Sequence, residues 1–304
     1  MTTLVLVALA VAALLVLVPG VALVVAAFRR PIALARRLSR WKLPGGVLRR
    51  RSMPCPLGTL TWWSGGEGPV VALLHGAGDQ AGTWAPVVAG LAASHRVVVP
   101  DLAGHGDSSP ADGPLSLSQV VDGLRLVLDA EAAGTHVTLV GNSMGGWAAL
   151  LFTLRHPERV RHVVLENATG LRGDGSPLEL VPASRTEAQD LANRVLGAAA
   201  RPLPGFVLDD MIRELAHGPV ARIIASDWER FLLDGRLGEI AVPVDLIWGE
   251  RDGVLPLPLA ERTAAQLRDA RLHVIPGGGH ILHRDRAREF ADVLGRVLAS
   301  RGTA

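Results

Sequence analysis

Short apolar runs with no polar interruption recur through this chain, Val70-Val71-Ala72-Leu73-Leu74 and Val97-Val98-Val99 being the clearest. A strand with one wet face alternates apolar and polar side chains, whereas a strand apolar at every position is covered on both faces. The pattern predicts strands over Thr59–Trp63, Val70–His75, Arg96–Pro100, His136–Val140, Arg161–Leu165, Val244–Trp248 and Leu272–Ile275. Helices are predicted over Thr83–Ala92, Ser116–Ala132, Gly145–Arg155, Leu259–Leu267 and Asp285–Ser300. Strand–helix alternation of this kind makes an α/β fold with a mainly parallel central sheet and helices on both faces. From Asn167 to Ile240 the rhythm breaks into helical, Pro- and Gly-rich sequence without a strong strand. A helical cap inserted at about residues 167–240, over the C-terminal edge of the sheet, accounts for this stretch.

The N-terminus reads differently. Leu4 to Phe28 contains no charged side chain and is interrupted only by Pro19-Gly20. As a helix it covers roughly 37 Å, against about 30 Å for a bilayer core. Residues 1–28 are therefore expected to form a transmembrane anchor. The alternative, a signal peptide cleaved near Ala27, fits less well, because Met1-Thr2-Thr3 lacks a basic side chain and the apolar run is long.

Nine cations lie between Arg29 and Arg51, and no acid precedes Glu67. Positive flanks stay cytoplasmic, so the expected arrangement is single-pass, with the body of the chain in the cytoplasm. The body would be exported instead if the segment were cleaved. Residues 29–56 read as a basic linker resting on anionic headgroups. The rest of the chain carries 22 cations against 29 acids, which argues against nucleic acid as a partner. Its single cysteine, Cys55, excludes a disulfide framework. No metal-ligand cluster or phosphate-binding Gly-Lys motif is evident, and no cofactor is expected.

The chemistry concentrates at Gly141-Asn142-Ser143-Met144-Gly145, with a predicted strand before it and a helix after it. By composition alone a Gly-x-Ser-x-Gly match arises roughly 0.16 times in such a chain, so the flanking elements carry the argument. A serine on a sharp strand-to-helix turn has a strained backbone and needs small residues two positions to either side. Directly after the strand at Val70 comes His75-Gly76-Ala77-Gly78. Beside Ser143, the amides of Ala77 and Met144 would form a two-donor pocket for an oxyanion. His75 is read as bracing this loop.

A serine nucleophile needs a base, and the base needs an orienting acid. Among ten histidines, His280 has the most suitable setting, in the glycine-rich loop Pro276-Gly277-Gly278-Gly279-His280. His283 is the rival, expected in a solvent-exposed turn. Asp252 lies just beyond the strand at Val244, with Glu250 as the fallback in the same turn. Asp245 falls within that strand.

These motifs, with the run Asp101-Leu102-Ala103-Gly104-His105-Gly106-Asp107-Ser108, make residues 57 to 300 resemble the α/β-hydrolase fold superfamily. The resemblance implies a single α/β-hydrolase domain over residues 57–304. It also implies that the Asp101–Ser108 run is a structural turn, with His105 outside the chemistry. Gly141–Gly146 and Ala270–Val274 are similar to carbon–carbon hydrolases of aromatic ring cleavage. That group tends to carry Trp directly after the catalytic histidine and an arginine in the cap; here Ile281 follows His280. Arg185, Arg194, Arg201, Arg213 and Arg222 stand unranked as cap arginines. An anchored hydrolase facing the cytoplasm resembles membrane monoacylglycerol lipases and related esterases.

The expected function is a serine hydrolase acting on carboxylic esters, apolar or lipid-derived. Ser143 is its nucleophile, His280 its base, Asp252 its orienting acid, and Trp84, Trp147 and Trp228 are candidate wall residues, each reading equally as core. A carbon–carbon hydrolase and a non-catalytic binding protein of the same fold are the alternatives.

Overall fold

The structure is a computed structural model that describes residues 2–43, 46–173, 177–197 and 200–301. Met1 of the expected anchor and Pro44-Gly45 of the expected linker lie outside the described residues. The chain begins with α1 (Thr2–Arg29) and α2 (Pro31–Lys42), followed by β1 (Leu48–Cys55), β2 (Gly58–Gly65) and β3 (Val70–Leu74). Next come α3 (Ala85–Ala92), β4 (Arg96–Pro100), α4 (Leu117–Ala132), β5 (Val137–Asn142), α5 (Met144–Arg155) and β6 (Val160–Glu166). Between β6 and β7 the chain forms α6 (Arg185–Leu196), α7 (Gly205–His217) and α8 (Pro219–Ile224). The chain ends with β7 (Val244–Gly249), α9 (Leu257–Gln266), β8 (Ala270–Ile275), α10 (Leu282–Asp285) and α11 (Ala287–Arg301).

The eight strands form one sheet in the order β1-β2-β4-β3-β5-β6-β7-β8. β1 and β2 are antiparallel, as are β2 and β4; the other pairs are parallel. Alternate residues of one run feed opposite layers. Ala72 and Leu74 pack with α4 and α5, while Val71 and Leu73 pack with α3 and α11. That two-sided burial, about 1.5–3 kcal/mol for each large aliphatic side chain, is why the central strands contain no polar alternation.

The edge is built differently. β1 contains Arg49, Arg50 and Arg51, all exposed, and pairs along its length with β2, Leu48 opposite Gly65 and Cys55 opposite Gly58. The residues read as linker thus hold a helix and an edge strand. The charge run that hid the strand suits an edge, where exposed cations discourage pairing with another chain.

α1 continues through Pro19, and its apolar side chains at Leu14, Leu15, Leu17, Val18 and Phe28 are exposed. The sharp bend falls after Arg29: Leu17–Arg29 and Pro31–Lys42 meet at 116°. Among the described residues no single helix is long and apolar enough to cross a membrane, although this bent pair meets the criterion together.

Candidate active site

Ser143 sits between β5 and α5 with φ 51° and ψ −122°, one of two non-glycine residues at positive φ among the described residues. Such strain persists only where surroundings enforce it, and it clusters at functional sites. The neighbouring glycines are steric requirements. A Cβ on Gly141 would lie 2.4 Å from the Gly146 amide, and one on Gly145 would lie 2.3 Å from the Leu74 carbonyl. The Ser143 amide donates to the Glu166 carbonyl at 3.0 Å, pinning the turn to β6.

The loop after β3 lies against this turn. A Cβ on Gly76 would come within 3.3 Å of Ser143 Cβ and 2.9 Å of Asn142 Oδ1. Ala77, Ser143 and Met144 line the same cavity. His75 is buried beneath the loop; Nδ1 donates to the Gly76 carbonyl at 2.8 Å and Nε2 accepts from the Leu102 amide at 3.0 Å. Burial lowers its pKa, opposed by the nearby Asp101 and Asp79 carboxylates, so a neutral ring serves as brace. His105 packs against it at 5.1 Å, its pKa pushed well down by burial and by His75. Asp101 accepts from the Ala81 and Asp107 amides at 2.7 Å each and closes the turn.

On the far side of the elbow, His280 Nδ1 donates to Asp252 Oδ2 at 2.7 Å. Asp252 Oδ1 accepts from the amides of Val254 and Leu255 at 2.8 and 2.9 Å. This assignment leaves His280 Nε2 as an acceptor, the tautomer that a general base needs. Asn142, next to the serine, donates from Nδ2 to the His280 carbonyl at 3.0 Å. No hydrogen bond joins Ser143 Oγ to the His280 ring among the described residues; such contacts often tighten only when substrate arrives.

Several residues with no sequence motif assemble these loops. Asn167, at φ 45°, donates to the Gly279 carbonyl at 2.9 Å and accepts from the Gly249 amide at 2.8 Å. It thus joins the loop that leads to Asp252 to the loop that carries His280. The C-terminal end of α6 joins them again: the Val195 carbonyl accepts from the His280 amide at 2.8 Å, and the Arg194 carbonyl from Gly253 at 3.1 Å. The only local signal was a pair of polar residues, Glu166-Asn167, ending an apolar strand.

The cavity above Ser143 has a volume of about 550 Å³. Its walls are mainly apolar, with Met144, Trp147, Ile223, Trp228, Leu255 and Leu259 among them. Trp147 is fixed by donation from Nε1 to the Phe231 carbonyl at 3.0 Å and meets Trp228 edge-on at 6.3 Å. Of the five cap arginines weighed from sequence, Arg194 lines the cavity; Arg172, outside that set, does so as well.

Trp84 is corrected. It is fully buried in the layer of α3 and α11, where it stacks on the His283 ring at 4.0 Å, and it does not line the cavity. His283, expected in an exposed turn, is fully buried too. Its Nδ1 meets Glu166 at 2.8 Å and its Nε2 meets Thr83 Oγ1 at 2.8 Å. Periodicity could not reveal either burial, because α10 returns beneath the end of β6. Glu250 is exposed and accepts from the Gly277 amide at 2.8 Å, which shapes the histidine loop rather than the ring.

A protein of Mycobacterium tuberculosis H37Rv is 31% identical over 263 residues, 77% of this chain and 76% of its own length. The 2-hydroxy-6-oxononadienedioate/2-hydroxy-6-oxononatrienedioate hydrolase of Paraburkholderia xenovorans is 31% identical, over 75% of this chain and 86% of that enzyme. The crystal structure of a bacterial membrane phospholipase A superposes with a TM-score of 0.76 at 25% identity, covering 100% of this chain and 98% of that one. Residues 71–293 match the alpha/beta hydrolase family, and the chain belongs to that family.

Proposed function

We propose that the protein is a serine hydrolase of carboxylic esters with an apolar, lipid-derived acyl or alcohol part. One observation carries the reading. A strained serine lines an apolar cavity, and the backbone carbonyl bonded by its neighbour Asn142 belongs to a histidine whose Nδ1 is held by a carboxylate and whose Nε2 is left as an acceptor. Ser143 Oγ attacks the ester carbonyl carbon as His280 Nε2 takes its proton. The carbonyl oxygen gathers negative charge and receives the Ala77 and Met144 amides, each such donor contributing about 3 kcal/mol to the barrier reduction. Collapse expels the alcohol, protonated by His280, and leaves an acyl-serine. Water, deprotonated by His280, then attacks the acyl carbon; collapse returns the proton to Ser143 and releases the acid. Asp252 holds the ring in its tautomer throughout.

The apolar lining supports a hydrocarbon acyl or alcohol part, because burying each methylene contributes about 0.8 kcal/mol. Exposed apolar α1 and the basic residues that follow support attachment to a membrane, with the catalytic body on the cytoplasmic side. Full-length similarity to a membrane phospholipase A points the same way. Chromogenic esters of increasing acyl length, assayed on the full chain in detergent, test the reading. Turnover that rises with chain length and vanishes in Ser143→Ala is expected; a flat, negligible profile refutes it.

A second reading rests on the 2-hydroxy-6-oxononadienedioate/2-hydroxy-6-oxononatrienedioate hydrolase among the relatives and on Arg194 at the cavity wall. Carbon–carbon cleavage of a vinylogous diketone would use the same Ser143 and His280. Turnover of such a dienoate without ester hydrolysis would select it.

A further inference from the structure

α2 occupies the seam between the cap and the loop that carries the Ala77 amide. Toward the cap, its Ile32 amide donates to Asp210 Oδ2 of α7 at 2.9 Å, and Asp210 is fully buried. Arg213 of α7 donates to the Arg29 carbonyl at 2.7 Å. Phe28 packs on Phe206 with ring centres 5.1 Å apart. Toward the catalytic body, Gln80 Nε2 donates to Ser39 Oγ at 2.9 Å and to the Arg36 carbonyl at 3.3 Å. Arg40 pairs with Asp107 at 2.6 Å, beside the Asp101 turn. The fit is close, since a Cβ on Gly82 would lie 2.7 Å from the Arg40 amide.

One side chain reaches both sides. Arg36 Nη1 donates to Glu214 Oε2 of α7 at 2.9 Å, while Nη2 donates to the Gly78 carbonyl. Gly78 has φ 72°, and a Cβ there would lie 3.0 Å from Val220, a cavity-lining residue of α8. Gly76 and Gly78 flank Ala77, so local sequence alone sets the Ala77 amide direction loosely. An oxyanion donor is effective only when its direction is fixed before the charge appears.

We propose that Arg36 is a positioning residue of the hydrolytic site, bridging Glu214 of the cap and the Gly78 carbonyl so that the Ala77 amide points where the oxyanion develops. The N-terminal helix pair is thereby a working part of the site as well as an attachment. The proposal rests on the serine-hydrolase reading above and concerns the same site.

Full-length protein in detergent tests it, with active sites counted by the end point of fluorophosphonate labelling. In Arg36→Met, kcat per labelled site is expected to fall about tenfold with KM within about twofold, and the labelling rate to fall in parallel. Arg36→Lys, which retains a donor and the charge, is expected to restore most of both rates. Arg125→Met, which removes a surface pair to Asp129, is expected to match wild type. Wild-type rates per site in Arg36→Met overturn the proposal. So does a reduced end point with unchanged rates per site, the signature of a purely structural role. Should Arg36→Met not fold, Glu214→Gln removes the carboxylate that orients the fork and is expected to slow both rates about threefold; unchanged rates overturn the proposal. A wild-type chain that neither labels nor hydrolyses esters would instead refute the serine-hydrolase reading beneath it.

Discussion

His280 and His283 stand three residues apart, each buried and each bonded through Nδ1 to a carboxylate. The difference lies at the other nitrogen. His283 Nε2 is bonded to Thr83 and its ring is covered by Trp84, so both ends are committed to packing. Among the described residues His280 has only its Asp252 bond at the ring, in a loop held by the Asn142 and Asn167 amides and by the end of α6. A histidine–carboxylate pair is therefore an orienting device that serves chemistry or packing, depending on what the far nitrogen faces.

Substitutions at Ser143 and His280, the proposed nucleophile and base, separate the two pairs most sharply. Ser143→Ala and His280→Ala are each expected to lower kcat for ester hydrolysis by about 10⁴-fold or more, with Ser143→Ala leaving the melting temperature near wild type. Comparable loss in His283→Ala, at unchanged stability, would break the distinction. His283→Ala is expected instead to cost about 3 kcal/mol of stability, because Glu166 loses its buried partner and Trp84 its stacked ring; denaturant titration measures this.

A third histidine–carboxylate cluster lies toward the opposite end of the sheet and sharpens the packing side of the comparison. Asp245 meets His162 at 3.0 Å, His273 at 2.7 Å and Arg301 at 3.2 Å. Burial alone would raise its pKa, but the hydrogen bonds from His162 and His273 outweigh that effect and bring it to about 2. A carboxyl lowered on folding stabilises the native state above its unfolded pKa near 3.8, and that contribution disappears as pH falls through about 2. Wild type is therefore expected to lose about 2 kcal/mol between pH 4 and 2, a component absent from Asp245→Asn in urea titrations across that range. The smallest effect is expected at the cavity wall. Trp147→Phe removes the bond to the Phe231 carbonyl and should cost about 1 kcal/mol, with a modest rise in KM for long-chain esters in steady-state assays.

The sheet was legible from sequence because strands covered on both faces exclude polar residues, and Val71 and Ala72 serve opposite layers of one apolar run. The elbow was legible because strain at Ser143 demands small neighbours, which leaves Gly141 and Gly145 as a written trace. β1 was not, since an edge strand with Arg49, Arg50 and Arg51 carries the composition of a linker. Trp84 was misplaced because an indole reads alike in a core and in a cavity wall.

Periodicity and local sterics are short-range properties, so the sequence by itself determined the layered α/β order and the strained serine turn. Which histidine keeps an unbonded nitrogen, which tryptophans border the cavity and where α2 lodges were decided only by tertiary structure. Those outcomes depend on contacts between residues scores of positions apart, Arg36 with Glu214 and Asn167 with Gly279 among them, and neither partner records the other in its local sequence.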